Sequence, residues 1–466
     1  MLHGKFGPVG DLGLRVASGR GVVWTTFHFQ PFFTMLFAAF RRAALLGAGL
    51  LLAAAAQAQQ PDSVFNHAPH ETLDLADTPQ FALFDPAFYK NKLFLLGESH
   101  GVQRVQDVDF ALLRHLNQRA GVRTYLAEVD CAQAFYLNDY LRTGDEPTLN
   151  RVFTSWVTSQ AQWANADFQQ KIRRIRQLNQ TLPASRRIHF VGIDGVQDYP
   201  LMATYLAAQR ATSRALPPAL TARLDSVAAA CGTGRPPATA AVALRTQQAL
   251  QAAAPAARRA LGPAYELIQH ALTNLGYART RPEREAQLLA NYQAALPLWH
   301  LQNEKLYGLW GLGHVLQSPA LGGYRALAAR IRQSSLPGHD AVVSILCTYS
   351  GCQMMTPSAV LPASLRAPGQ TFTGATLFNH DGPLVRLAGI ETLKAATPAG
   401  GTTLWWLGAP GAAAQRLPVR VSYAPGVPAG QQLGFDPQRP ATDYVQYVLL
   451  LRDSPATQPL AASMHP

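Results

Sequence analysis

The stretch "LFLLGESHG" (Leu93–Gly101) decides how the rest of the chain reads. Four apolar residues run into a glycine, after which a carboxylate, a hydroxyl and an imidazole arrive together. A short apolar run that stops at glycine is the pattern of a strand buried on both faces of a parallel sheet. Downstream, Val105, Val108, Leu112 and Leu116 fall at helical spacing. Two further runs repeat the strand pattern, "VRTYLAE" (Val122–Glu128) and "RIHFVGID" (Arg187–Asp194), with helical segments such as "IRRIRQLNQ" between them. After an alanine-rich interval come "KLYGLWGLGH" (Lys305–His314) and "DAVVSILCTYS" (Asp340–Ser350). This strand–helix–strand order predicts an α/β fold with a mostly parallel central sheet flanked by helices. From about Leu201 to Leu298 alanine dominates, prolines punctuate and "YELIQHALTNL" carries an apolar helical stripe, so residues 201–300 read as a helical insertion. "TTLWWLG", "PVRVSYAP" and "YVQYVLLLR" then follow as strands without intervening helices, which predicts antiparallel C-terminal additions.

The chain has 466 residues and a formal charge of +12. From Met35 it reads "MLFAAFRRAALLGAGLLLAAAAQA": a basic start at Arg41-Arg42, an apolar stretch from Ala43 to Ala56, and a small-x-small site at Ala56-Gln57-Ala58. These are the parts of a secretory signal peptide over residues 35–58, with cleavage after Ala58, and residues 1–34 read as an upstream extension. The apolar stretch is shorter than the ~20 residues of a spanning helix, so a membrane anchor is the less favoured reading. The expected location is secreted or periplasmic, with no membrane association after signal cleavage. Residues 59–200 and 301–466 then form the two parts of the α/β domain around the insertion. Removing residues 1–58 takes five cations and one anion from the balance and leaves +8. No Lys/Arg run with interleaved aromatics accompanies that charge, so a nucleic-acid partner is not expected. Four cysteines remain, Cys131, Cys231, Cys347 and Cys352. An oxidising compartment permits a Cys347–Cys352 bridge and leaves a Cys131–Cys231 pair open.

Compared across the strands, the endings carry the chemistry. They deliver Glu98 and His100, Glu128, Asp194, and His314, and two of them share the pattern G-x-x-H. Ligands of open α/β sheets bind beyond the carboxyl ends of the strands, so two histidines and three acids are expected on one rim. Ser99 reads equally as a helix N-cap or a nucleophile, although no G-x-S-x-G elbow surrounds it. Asp194 reads equally as a cap, and His189, inside its strand, as structural. Trp299-His300 is expected to border the cleft. Trp156, Trp163, Trp299 and Trp310 are candidates to line it, though large aromatics are more often core. Imidazoles beside carboxylates support hydrolysis: a neutral ring takes a proton from water, an acid fixes its tautomer, and a second ring assists the leaving group or an oxyanion. Direct contact between Glu98 and His100 requires the chain to turn at Ser99, which makes Glu128 the expected orienting partner of His100. The same residue types also suit a divalent metal, with Glu98, His100 and His314 as ligands.

Together, "LLGESHG", the "AE" ending of the next strand, "LRTGD", the "W…F…IRRIRQLNQ" helix, "FVGID" and "GLGHV" resemble the erythromycin-esterase-like family over roughly Leu93 to Val315. The resemblance implies an α/β protein whose helical insert shapes a cleft. It further implies metal-independent hydrolysis of a small-molecule ester or lactone, with Glu98, His100, Glu128 and His314 in the active site and His100 activating water. The family's usual E-x-x-H is E-x-H in this chain. That spacing, and the paired G-x-x-H endings, are similar to the Tiki/TraB and haem-uptake superfamily. The latter resemblance implies the alternative, a metal- or haem-binding protein or a metal-dependent peptidase.

Overall fold

The computed structural model describes residues 63–76, 78–211, 216–233, 235–427 and 432–460. The expected signal peptide and upstream extension lie outside the described residues. Among these, no helix is long and apolar enough to cross a membrane.

The chain begins with a short strand, β1 (His70–Thr72), and then enters the central strand β2 (Leu93–Glu98). An α/β alternation follows: α1 (Gln103–Ala120), β3 (Thr124–Ala127), α2 (Cys131–Thr143), α3 (Glu146–Thr158), α4 (Ala166–Thr181) and β4 (His189–Gly192). Six helices occupy the next hundred residues: α5 (Tyr199–Ala211), α6 (Pro218–Cys231), α7 (Pro236–Ala252), α8 (Ala254–Leu261), α9 (Ala264–Thr280) and α10 (Arg284–Leu298). The sheet resumes with β5 (Leu306–Gly311), α11 (Leu327–Arg332) and β6 (Val342–Ser350). Then come β7 (Met354–Pro357), β8 (Phe372–Ala375), β9 (Val385–Leu387), α12 (Ile390–Ala396), β10 (Thr402–Trp406), β11 (Val421–Tyr423) and β12 (Tyr447–Arg452).

Eight strands form one sheet in the order β1-β10-β12-β6-β2-β5-β3-β4, parallel from β12 to β4 and antiparallel from β1 to β12. The mostly parallel α/β architecture expected from the sequence is what the chain adopts. β2 shows why its sequence is almost wholly apolar. Phe94 and Leu96 enter a core with Val105 and Leu112 of α1, while Leu93 and Leu95 enter the opposite core with Leu288 and Tyr292 of α10. Because β5 inserts between β2 and β3, the strand order reverses beside β2 and opens a crevice at the carboxyl ends of these three strands.

Three expectations need correction. β12 pairs in parallel with β6 and is an interior strand; only the β10–β12 and β1–β10 pairings are antiparallel in the main sheet. The run "VLLL" is apolar because it is covered on both sides. "PVRVSYAP" supplies only β11, paired with β9 in a separate two-stranded sheet. All four cysteines are free, and the Cys352 thiol donates instead to the Leu451 carbonyl at 3.2 Å.

Leu96 is fully buried in the strand that both halves of the sheet flank. Leu96→Ala should destabilise the protein by about 2–5 kcal/mol, measured by denaturant unfolding. A loss below about 1 kcal/mol would mean that β2 is not central to the core.

Candidate active site

β2 and β5 end side by side, Glu98 opposite Gly311. Past Glu98 the chain leaves the sheet and turns, and His100 Nδ1 lies 3.0 Å from Glu98 Oε1. A carboxylate only accepts, so Nδ1 carries the proton and Nε2 keeps a free lone pair. The expectation that Glu128 orients His100 is therefore wrong in its partner: Glu98 does so. Residues two apart already share a side of an extended chain, and the bend closes the remaining gap. Ser99 does not cap α1. α1 begins at Gln103 behind Val102 without a side-chain cap, and the Ser99 N–H donates to the Tyr349 hydroxyl at 2.8 Å.

Glu128 follows β3 and is held by β5 and the insertion. Its Oε2 accepts from Gly311 N at 2.8 Å, its Oε1 accepts from Arg284 Nη2 at 2.8 Å, and Oε1 lies 3.5 Å from His314 Nε2. Arg284 Nη2 also donates to Asp194 Oδ2 at 2.7 Å, and Nη1 donates to His314 Nε2 at 3.0 Å. His314 sits on the turn after β5, with Nδ1 2.8 Å from Glu285 Oε1. Asp194 caps no helix; it accepts from Gly195 N and Gln197 Nε2, while Asp198 caps the start of α5. Thus all five residues expected at the rim are there, in two groups. Glu98 and His100 form one, and Glu128, Asp194 and His314 gather around Arg284.

Arg284 and Glu285 were not anticipated from the sequence. They open α10, where Arg281 in the left-handed region and Pro282 end the preceding helix. Asn274 and Asn291 hydrogen-bond each other, and Asn291 Nδ2 donates to the Ile193 carbonyl at 2.9 Å, fixing α9 and α10 against the end of β4. A signal was present: Glu266, Glu283 and Glu285 are the only acids from residue 226 to 303, and two of them flank Arg284. Trp163 approaches His100 edge-on, with ring centroids 5.5 Å apart. Trp156 and Trp310 are core, as large aromatics usually are. Trp299-His300 does not border the cleft, because α10 carries the chain about 22 Å away from the rim before reaching it.

The electrostatics follow from this packing. Burial opposes ionisation of Glu128, yet His314, Arg284, His100 and the Gly311 amide outweigh it and hold the carboxyl near 2. Burial opposes charge on His100 as well, but the Glu98 bond and the charge of Glu128 outweigh it and raise the imidazole pKa above 6.5. His314 is likewise raised, by Glu128 and Glu285 against burial.

Neither alternative ligand set fits. Glu98 is directed at His100 Nδ1, and the His314 Nε2 lone pair faces a guanidinium that occupies the place of a metal ion. Among the described residues, no group of three or more His, Cys, Asp or Glu is arranged to hold one. Haem needs an apolar slot between its axial ligands. The space between His100 and His314 instead borders the Glu128 carboxylate and Gly311, and His314 Nε2 already accepts from Arg284, so neither an apolar slot nor a free second axial ligand is present there.

Residues 118–304 match the family model described as erythromycin esterase. Solved structures agree. An erythromycin esterase mutant, EreC, in its open conformation superposes with a TM-score of 0.56 at 14% identity, covering 83% of this chain and 98% of that one. The chain has the erythromycin esterase fold. A protein from Bacillus cereus gives 0.61 at 13% identity, covering 85% and 98% of the two chains. A succinoglycan biosynthesis protein gives 0.57 at 15% identity, covering 85% and 97%. No curated protein matches the sequence. The esterase-family match takes in Glu128, Asp194, Arg284 and Glu285, whereas Glu98, His100 and His314 lie outside its bounds.

Replacing Arg284 tests the second group. Arg284→Met leaves Glu128 and Asp194 without their shared cation. The cost should be about 1–3 kcal/mol, below the value for a fully buried pair because the Arg284 side chain is 50% exposed. Glu128, depressed from 4.5 to about 2, contributes stability above pH 4.5 that is lost as pH falls toward 2. The gap between wild type and variant should therefore close over that range in denaturant titrations. A gap independent of pH would refute the charge role.

Proposed function

We propose that this protein is an exported hydrolase that attacks an ester or lactone of a small molecule with water, without a metal. One observation carries the reading. A Cβ placed on Gly311 would lie 3.4 Å from His314 Cδ2, 3.6 Å from His100 Nε2 and 3.8 Å from Glu128 Oε2. These groups thus border one small space, which the absent side chain leaves open. A water there sits within reach of the one imidazole nitrogen that has a free lone pair.

In the proposed reaction His100 Nε2 removes a proton from that water while its oxygen attacks the acyl carbon. Glu98 stabilises the imidazolium that forms. The carbonyl electron pair moves to oxygen, giving a tetrahedral oxyanion beside the half-exposed Arg284 guanidinium. When that pair returns, the carbon–oxygen ester bond breaks and the departing alkoxide takes the proton from His100. An acid and an alcohol leave, and the enzyme regains its starting protonation. The macrolide specificity of the esterases does not transfer with the fold. The signal-peptide pattern of residues 35–58 supports export, which mass spectrometry would test by looking for an amino terminus at Gln59 on secreted or periplasmic material.

His100→Ala should lower hydrolysis of short-chain or lactone esters by about 10²–10⁴-fold. Gly311→Ala should do comparable damage by filling the water space, with little change in Tm because the new methyl meets only ordinary van der Waals contacts. Because neutral His100 is the reactive form and its pKa is raised, activity should rise with pH through a value above 6.5. Full activity in either variant would reject the site. Loss with chelator and recovery with a divalent ion would replace it with a metal-dependent one.

A further inference from the structure

Glu98 and His100 are separated by one residue, and an extended chain would set their side chains parallel, with roots about 6.6 Å apart. Their 3.0 Å contact is made as the chain leaves the sheet, just before the turn at His100–Gly101. What holds this segment can be read atom by atom. On the downstream side, Gly101 adopts φ +95°, and its carbonyl accepts from Met355 N and Thr457 N, both at 2.9 Å. A Cβ on Gly101 would stand 2.7 Å from the Met355 backbone, so no other residue fits. On the upstream side the sheet register with β5 ends at Glu98, and the Ser99 N–H turns to the Tyr349 hydroxyl at 2.8 Å. Tyr349 is fully buried on β6, where its hydroxyl also meets the Cys347 thiol.

We propose that Tyr349 is the positioning residue of the Glu98–His100 pair: its buried hydroxyl anchors the Ser99 amide between them and so holds the two side chains in register as a hydrogen-bonded dyad. Tyr349 touches neither water nor substrate. It acts on the reaction through His100, and the inference rests on the role given to His100 above. The groups facing His100 are Glu98 beneath it, Glu128 from β3, Arg284 from α10 and the Trp163 ring from the loop before α4. Of these, Glu98 makes the hydrogen bond, so loosening its hold on His100 removes the strongest support for the protonated ring and leaves the charge of Glu128 alone against burial and Arg284. The pKa of His100 must then fall.

Tyr349→Phe removes one oxygen and keeps the ring, so the core stays filled. With short-chain esters, kcat should fall about 10–100-fold, while KM changes less than about twofold because no substrate contact is lost. The acid limb of the pH–rate profile should move down by about one unit. Glu98→Gln should show the same signature. The double variant Tyr349→Phe/Glu98→Gln should be no worse than Glu98→Gln alone, since both changes act on one interaction. Histidine ring-proton NMR on the resting protein, with His100 assigned from His100→Gln, gives its pKa without reference to activity. A lowered His100 pKa in folded Tyr349→Phe supports the positioning role even if His100→Ala proves active and the base assignment fails. An unchanged His100 pKa, or losses that multiply in the double variant, overturns it. A fall in Tm with an unmoved pKa does so too, by reducing Tyr349 to a packing residue.

Discussion

The Arg284 guanidinium is the counter-charge on which the rim depends. Glu128 and Asp194 are largely buried, and a buried carboxylate without a cation either protonates or destabilises the fold. Arg284 bridges both while donating to His314. Its planar array of donors suits three acceptors at once, which a lysine ammonium on a flexible stem would not reproduce. The consequence reaches beyond charge. Arg284 belongs to the helical insertion, so docking α10 against the end of β4 and assembling the site are one event.

The strands contribute direction. Three parallel strands, β2, β3 and β5, end at one level, and each releases a polar rim side chain just where regular pairing stops. Glycines make this possible at close quarters. Gly97 and Gly308 sit where a Cβ would press on Val315 and on the Leu126 carbonyl, and Gly311 keeps space between the imidazoles. A rigid sheet therefore places the acids and bases, while the loops around them carry the Trp163 ring and the hydrogen-bonded turn.

Much of this was legible in the sequence. β2, with its uninterrupted apolar run into glycine and then polar residues, announced both a buried parallel strand and the polar cluster at its end. Glu128, Asp194 and His314 were found by the same reasoning. Arg284 was not, because its partnership with Glu128 spans 156 residues of chain and its helix has the alanine-rich composition of a packing element. The partner of His100 was misjudged because residues two apart on an extended chain share a side and can already meet, and the hydroxyl that holds the Ser99 amide between them lies 250 residues away. The direction of β12 was misread because it was grouped with the C-terminal strands that lack intervening helices, although its four-residue apolar core marks it as interior. β1, three residues long, has no pattern to read at all.

One feature of the C-terminal segment bears on when the molecule becomes competent. Thr457 N donates to the Gly101 carbonyl, and residues 458–460 bond to Ala164, Ala166 and Asp167 beside the Trp163 loop. The turn that carries His100 is thus locked by residues made 356 positions after it (457 minus 101). At about 5–20 residues per second, a ribosome needs roughly 20–70 s to cover that interval. Throughout that time the dyad's strand exists without its lock. An emerging chain holds all its acids and bases long before it holds them in place, and the last lock on the turn arrives with the segment that crosses back over it.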